Sequence, residues 1–265
     1  MDSYIGTDLN RSESDNGAYV SFVQSAVADY KCFTTFKRHP SYTEILEHAS
    51  QAEGRTYLDI IKSESPDFIA LGDAFKVNDL VGTPATFNYD GIGAISPSTL
   101  RYMKVASDIR KLFGDNIGQT IAEIGVGYGG QLLINDRIFK MARYDLFDLP
   151  PVLSLASRYL ESHILNCSYR TMTLNQHAGD EHYDFVISNY AFSELPSKLQ
   201  LKYIEKIISR SARGYLTMNS GLANSAFQSD KLSIDELKAR LPAFEVLAER
   251  PLTHPGNYII VWGRV

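Results

Sequence analysis

The sequence predicts an α/β protein, in which a mostly parallel sheet with helices on both faces closes on an antiparallel hairpin and is preceded by a helical segment. Three features predict it. From about residue 119, short apolar runs alternate with helical periods, the βαβ pattern of a parallel sheet. Residues 123–130, EIGVGYGG, end an apolar run and open into a helix, the form of a nucleotide-binding turn. The last two apolar runs, FEVLAE and NYIIVWGRV, are joined only by RPLTHPG, too short for the crossover that a parallel pair needs.

Taken in order, the first 16 residues are polar and are expected to be mobile. From Ala18 to about Gly72 apolar residues recur at helical spacing: Val20, Val23, Val27 and Tyr30, then Tyr42, Ile45, Leu46 and Ala49, then Tyr57, Leu58, Ile60 and Ile61. Three or four short helices are expected there, punctuated by His39-Pro40, Gly54 and Ser65-Pro66. The run VGTPATFNYDGIGAISP, residues 81–97, is expected to be a long loop, and loops of that length are often functional. Ser96-Pro97 starts a helix that Gly114 stops. Strands are expected at 119–124, 142–147, 168–173, 183–188, 213–218, 243–248 and 257–264, and helices at 129–141, 151–162, 197–209 and 233–241. Residues 1–95 are thus expected to form a helical lid or substrate region, and residues 96–265 a cofactor-binding domain.

The 265 residues are 44% apolar and 22% charged, ordinary for a globular protein with a substantial core. A net charge of −5 argues against a nucleic-acid binder, which needs clustered Lys and Arg for phosphate contacts. Cys32 and Cys167 have neither the number nor the spacing of a disulfide framework or zinc site, so reduced thiols and a cytoplasmic location are expected. No apolar run approaches the roughly 20 residues of a membrane span. His39, His48, His163, His177 and His182 show no ligand spacing, and no acidic cluster marks a divalent site, so metal-independent chemistry is expected.

The glycines alone do not choose a nucleotide. Gly125, Gly127 and Gly130 fit the G-x-G-x-x-G of a dinucleotide fold, while Gly125, Gly127 and Gly129 fit the E/D-x-G-x-G-x-G of S-adenosylmethionine (SAM) methyltransferases. Glu123 and the closing hairpin favour SAM. A carboxylate at the end of the first strand suits the ammonium group of the methionine half and would be awkward beside a pyrophosphate, and a dinucleotide fold repeats parallel units to its end. Asp145 or Asp148, at the end of the next strand, suits ribose hydroxyls. After the third strand, TLNQHAGD places Asn175 or Gln176 near the adenine, with Asp180 as an alternative.

The ordered run of AISPSTLRYMKVASDIRKLFGDNIGQTIAEIGVGYGGQ, YDLFDLPPVLSLASRYL, YDFVISNYAFSELP and PLTHPGNYIIVWG resembles the sugar O-methyltransferase family of bacterial surface-polysaccharide gene clusters. The resemblance covers about residues 85–265 and none of the N-terminal helices. It implies a Rossmann-like class I SAM methyltransferase sheet with a helical lid, a hydroxyl of a sugar or glycan intermediate as acceptor, and Asp148 of the DLP motif as the ribose ligand.

Methyl transfer from a sulfonium is an in-line displacement that benefits from a dry, aligning pocket. A sugar hydroxyl also wants a general base within hydrogen-bond reach. His254, in the loop between the last two strands, carries an imidazole, a side chain suited to general-base work, and is one candidate base; Glu194, just after the fourth strand, is the other. Arg101 and Tyr102 follow ISPST beside the Gly-rich loop, and the Arg suits a carboxylate or phosphate of the acceptor or of SAM itself. Tyr89 and Asp90 are expected in the lid, Asn189 and Tyr190 facing cofactor or acceptor, and Asn219 on the acceptor. A homodimer through the apolar N-terminal helices is a further expectation.

Three rivals remain at this level: a phosphate or phosphoramidate oxygen as acceptor, an NAD(P)-dependent nucleotide-sugar oxidoreductase, and a catalytically silent SAM-fold subunit. The oxidoreductase normally carries a Tyr-x-x-x-Lys pair, and Tyr203 and Lys206 are only three apart.

Overall fold

Capping signals and helical periods divide the N-terminal part into short helices: α1 (Gly17–Ala28), α2 (Tyr30–Thr35), α3 (Pro40–Thr43), α4 (Gln51–Glu64), α5 (Asp67–Ala70) and α6 (Gly72–Lys76). The computed structural model describes residues 17–219 and 230–264; the polar segment before them, where mobility is expected, lies outside the described residues. α4 opens on a capping box, in which Ser50 Oγ accepts from the Glu53 amide at 3.2 Å and Glu53 Oε2 accepts from the Ser50 amide at 2.7 Å. Gly54 corrects the expected punctuation, because it lies inside α4. A Cβ there would stand 2.2 Å from Tyr89 Oη, so the glycine is needed for close approach rather than to end the helix.

Residues 81–97 also differ from the expected open loop. They contain the hairpin β1 (Phe87–Tyr89) and β2 (Gly93–Ile95), whose ladder pairs Tyr89 with Gly93. Tyr89 is buried and donates to the Gln51 carbonyl at 3.2 Å, so the hairpin packs onto the start of α4. The next helix, α7 (Pro97–Phe113), starts where the sequence places it. Ser96 Oγ accepts from the Thr99 amide at 3.1 Å, and the Asp79 carboxylate accepts from the Ser96 amide and hydroxyl and the Thr99 hydroxyl, each at 2.7 Å. These bonds tie the helical segment to the first turn of α7.

Then come β3 (Thr120–Ile124), α8 (Gly130–Asp136), β4 (Arg143–Phe147), α9 (Pro150–Leu160), β5 (Ser168–Met172), β6 (Tyr183–Asn189), α10 (Ser197–Lys206), β7 (Ser211–Met218), α11 (Ile234–Lys238), β8 (Glu245–Ala248) and β9 (Tyr258–Trp262). α8 is shorter than the expected 129–141. Past Asp136 the amides of Arg137 and Ile138 bond to carbonyls three residues back, and the Asp136 carboxylate turns to accept from the Asn166 and Cys167 amides at 3.0 and 2.9 Å.

The seven strands run in the order β5-β4-β3-β6-β7-β9-β8, parallel except that β9 is antiparallel to both β7 and β8. This is the Rossmann-like class I arrangement the sequence predicts, with the reversed strand enclosed between its neighbours. β3 and β6 are central and buried on both faces, which is why their sequences are near-continuous apolar runs. The hydrophobic core passes without a break from Phe22, Phe36 and Tyr42 of the helical segment to Tyr128, Tyr159 and Ile121 at the sheet. No helix among the described residues is long and apolar enough to cross a membrane.

Candidate functional site

Strand order reverses between β3 and its neighbours β4 and β6, and the crevice beyond the C-terminal ends of such strands is where open α/β sheets bind ligands. A cavity of about 770 Å³ stands there. That lies inside the roughly 300–1,000 Å³ of small-molecule sites. One wall comes from the sheet, and the other from residues 44–49 with Glu53 and Tyr57 of α4.

The sheet wall begins with the glycine turn. Gly125 adopts φ +76°, and a Cβ on it would stand 1.9 Å from the Ala191 Cβ. Gly127 adopts φ +53° beside Leu46, whose Cδ1 would be 3.0 Å from a Cβ there, so the turn passes tightly under the helical segment. Glu123 is buried on the cavity wall, and its Oε2 accepts from the Tyr144 hydroxyl at 2.7 Å. Burial pushes its carboxyl up to about 8, with the Tyr144 bond opposing and the Asp148 charge adding.

Asp148 lines the same wall and braces the turn: Oδ2 accepts from the Val126 amide at 2.7 Å and the Gly127 amide at 3.3 Å, and Oδ1 from the Leu149 amide at 2.7 Å. Burial raises it to about 6, and those three amides hold it down from going further. Asp145, the alternative, is fully buried in an ion pair with Arg170 at 2.6 Å, away from the cavity wall. Asn175 lines the cavity, as does Asn189, whose Oδ1 is buried without a hydrogen-bond partner while its Nδ2 donates to Gln131 at 3.2 Å.

The remaining wall is rich in tyrosines and hydrogen-bonding side chains. Arg101, Tyr102, Glu194, Asn219 and His254 all line it, together with His48, Tyr57, Tyr190, Thr253 and Asn257. Arg101 donates to the Leu46 carbonyl at 3.1 Å and lies 5.5 Å over the Tyr102 ring; among the described residues no carboxylate pairs with it. Glu194 accepts from Asn219 Nδ2 at 2.6 Å. His254 is exposed at the rim, its Nδ1 3.2 Å from the Pro255 carbonyl.

Four expected site residues stand elsewhere. Tyr89 is buried against α4, and the Asp90 carbonyl accepts from Lys62 at 2.7 Å on the outer side of the hairpin. Gln176 Oε1 caps its own turn by accepting from the Thr173 amide at 2.7 Å. Gly129, at φ +87°, precedes α8 and faces Leu160, whose Cδ1 would be 3.1 Å from a Cβ there. Gly130 meets the Tyr102 and Tyr128 rings, so both glycines serve packing.

The helical segment's contribution, Ile45, Leu46, His48, Ala49, Glu53 and Tyr57, was not legible as a site. No motif marks those residues, and their helical spacing suits a core face equally well. The Thr253–Asn257 loop was legible only through His254. Among the described residues no group of three or more His, Cys, Asp or Glu stands together as metal ligands would.

No family model matches the chain. No curated protein matches it either. Among solved structures it is similar to the N-terminal domain of EvdMO1 with SAH bound, at 17% identity and a TM-score of 0.44, over 74% of this chain and 94% of that one. It is also similar to the pyocyanin biosynthetic protein PhzM, at 13% identity and a TM-score of 0.45, over 95% of this chain and 74% of that one. A third is the N-methyltransferase NodS from Bradyrhizobium japonicum WM9, at 11% identity and a TM-score of 0.43, over 61% of this chain and 89% of that one.

Proposed function

We propose that the chain is a SAM-dependent O-methyltransferase that transfers a methyl group to a hydroxyl of a sugar or glycan intermediate. The observation that carries this is a single cavity with two chemically different halves. One half offers a buried carboxyl at Glu123, the unpartnered Asn189 Oδ1, the tight glycine turn, Asp148 and the apolar Leu149, Val152 and Leu174. That set fits SAM: Glu123 and Asn189 face an ammonium group, Asp148 suits ribose hydroxyls, and the apolar residues with Asn175 suit an adenine. The other half sets tyrosine rings among Asn, Thr, His and Glu side chains, the pairing of apolar faces with convergent polar groups that a polyol needs.

Bound SAM supplies an electrophilic methyl on a sulfonium. The chain's part is to hold the acceptor in line, exclude water under residues 44–49 and take up the hydroxyl proton. His254 and Glu194, the two bases expected from the sequence, both line the cavity.

Calorimetry with SAM and with NAD, followed by transfer of label from [methyl-14C]SAM to a panel of UDP-, GDP- and dTDP-linked hexoses, tests the proposal. SAM binding and label on a sugar are expected; failure to bind SAM at millimolar concentration refutes it. Arg101, which lines the cavity and makes no ion pair among the described residues, favours one second reading, a phosphate-type oxygen on a glycan precursor. Such an oxygen is already ionised, so removing any group that could take up a proton would then cost little.

A further inference from the structure

We infer that Tyr190 and Glu249 form the proton path for the acceptor hydroxyl, Tyr190 touching the acceptor and Glu249 receiving the proton through it. The inference rests on the O-methyltransferase proposal. Tyr190 lies where β6 ends, on the wall of the large cavity, and it also lines a separate pocket of about 20 Å³ behind that wall, room for roughly one water. Glu249 lines the small pocket and not the large cavity. The two are joined directly, the Tyr190 hydroxyl donating to Glu249 Oε1.

The backbone at Tyr190 is held at φ +68° and ψ −37°, a left-handed conformation that a bulky side chain adopts only under constraint. Such outliers concentrate at functional sites, and here the constraint holds Tyr190 on the walls of both the cavity and the small pocket. Glu249 is buried and held by Thr253, accepting from its amide at 2.8 Å and from its hydroxyl at 2.9 Å, and that hydroxyl also lies 3.3 Å from Tyr190 Oη. The charged and titratable groups around the pair are Tyr57 of α4, Arg101, Tyr102 and Lys104 of α7, Tyr215 of β7 and Arg250. Burial and the Glu249 carboxylate both hold the Tyr190 phenol well above the ordinary tyrosine range, so it stays protonated and serves as a relay rather than as a phenolate.

In the step, the acceptor O–H proton moves to Tyr190 Oη as the phenolic proton passes to Glu249 Oε1. The pair left on the acceptor oxygen forms the C–O bond to the methyl carbon of the sulfonium donor, and the C–S pair leaves on sulfur. Glu249 ends neutral, and the sulfonium charge is discharged with it. Glu249 is therefore a positioning residue that acts through Tyr190.

Tyr190→Phe removes only the hydroxyl, and Glu249→Gln keeps an oxygen to accept from Tyr190 and Thr253 while losing the charge. With the labelled-SAM assay on the nucleotide-hexose panel, both variants should lose about 100-fold or more in single-turnover rate, with SAM affinity by calorimetry and the unfolding midpoint held near wild type. Glu249→Asp should recover part of the rate. In the ligand-free protein carrying [ζ-13C]tyrosine, Glu249→Gln should move the Tyr190 Cζ resonance at neutral pH, where the phenol is protonated in both proteins and only the charge that it bonds to has changed. A Glu249→Gln protein that turns over at the wild-type rate, or an unmoved Tyr190 Cζ resonance, overturns the relay while the wild type's transfer still supports the methyltransferase. A wild type that binds SAM and labels no member of the panel overturns both.

Discussion

Replacing Glu123 by Gln is expected to stabilise the ligand-free protein and to abolish SAM binding. Burial, with the Tyr144 hydroxyl opposing, lifts the Glu123 carboxyl from an ordinary 4.5 to about 8, so the folded protein keeps a proton that the unfolded chain has lost. Between pH 4.5 and 8 the folded state binds more protons, stability falls as pH rises, and the full cost is in place above pH 8. At ~1.36 kcal/mol per pH unit that span amounts to roughly 5 kcal/mol. Glu123 is only 2% exposed, but it borders a large cavity whose water screens a carboxylate, so about half, ~2–3 kcal/mol, is the expected gain. Gln still accepts from Tyr144 and carries no charge to desolvate. Urea unfolding of both proteins from pH 5 to 9 measures the difference, which should be near zero at pH 5 and widen to its full value by pH 8 to 9. SAM at a hundred times its Kd should add about 2.7 kcal/mol to the wild type and nothing to the variant. A variant no more stable at pH 9 than at pH 5, relative to wild type, refutes the claim that Glu123 is held as a costly buried acid for a cationic ligand.

Tyr144→Phe removes the hydroxyl that favours the ionised Glu123, so SAM affinity at pH 7 should fall roughly tenfold and recover in part at pH 9, read by calorimetry. Gly125→Ala combines a positive φ with overlap against Ala191 and should cost about 2–4 kcal/mol in urea unfolding; adding Ala191→Gly should relieve the overlap and leave the backbone strain. Lys37 is buried with its Nζ 4.0 Å from the Tyr128 ring centroid, and burial depresses it from an ordinary 10.5 to about 8. The folded state then loses that proton first, so wild-type stability should rise from pH 8 to 10.5 relative to a Lys37→Met protein. A flat difference over that window would show that the amine is not desolvated.

The sequence by itself determined the sheet and the glycine turn. β3 and β6 are near-continuous apolar runs bounded by turn residues, and a run buried on both faces needs little from its neighbours to be recognised. The short RPLTHPG link forced an antiparallel pair whatever else the chain did, and β8 and β9 pair so. Ser96 and Gly114 mark the ends of α7 through local hydrogen bonding and a positive φ that only nearby residues set. Asp148, Glu123 and Asn189 were legible for the same reason: each sits at a strand end, and strand ends in this topology meet at one crevice.

Tertiary structure decided what covers that crevice. Gly54 looks like a break and is a contact, because Tyr89 arrives on it from a residue far along the chain. Tyr89 and Asp90 looked like lid residues because their segment is rich in glycine, yet the hairpin ladder turns Tyr89 onto α4, and it is residues 44–49, unmarked by any motif, that close over Gly127. Glu249 is one acid among 31 Asp and Glu in the sequence and gains its place only when β9 inserts between β7 and β8 and carries the preceding loop to Tyr190. Local period and turn chemistry act over a few residues and can be read along the chain. The pairing of groups 38 to 59 positions apart, as with Tyr89 and Gln51 or Tyr190 and Glu249, is set by packing, which a linear pattern does not encode.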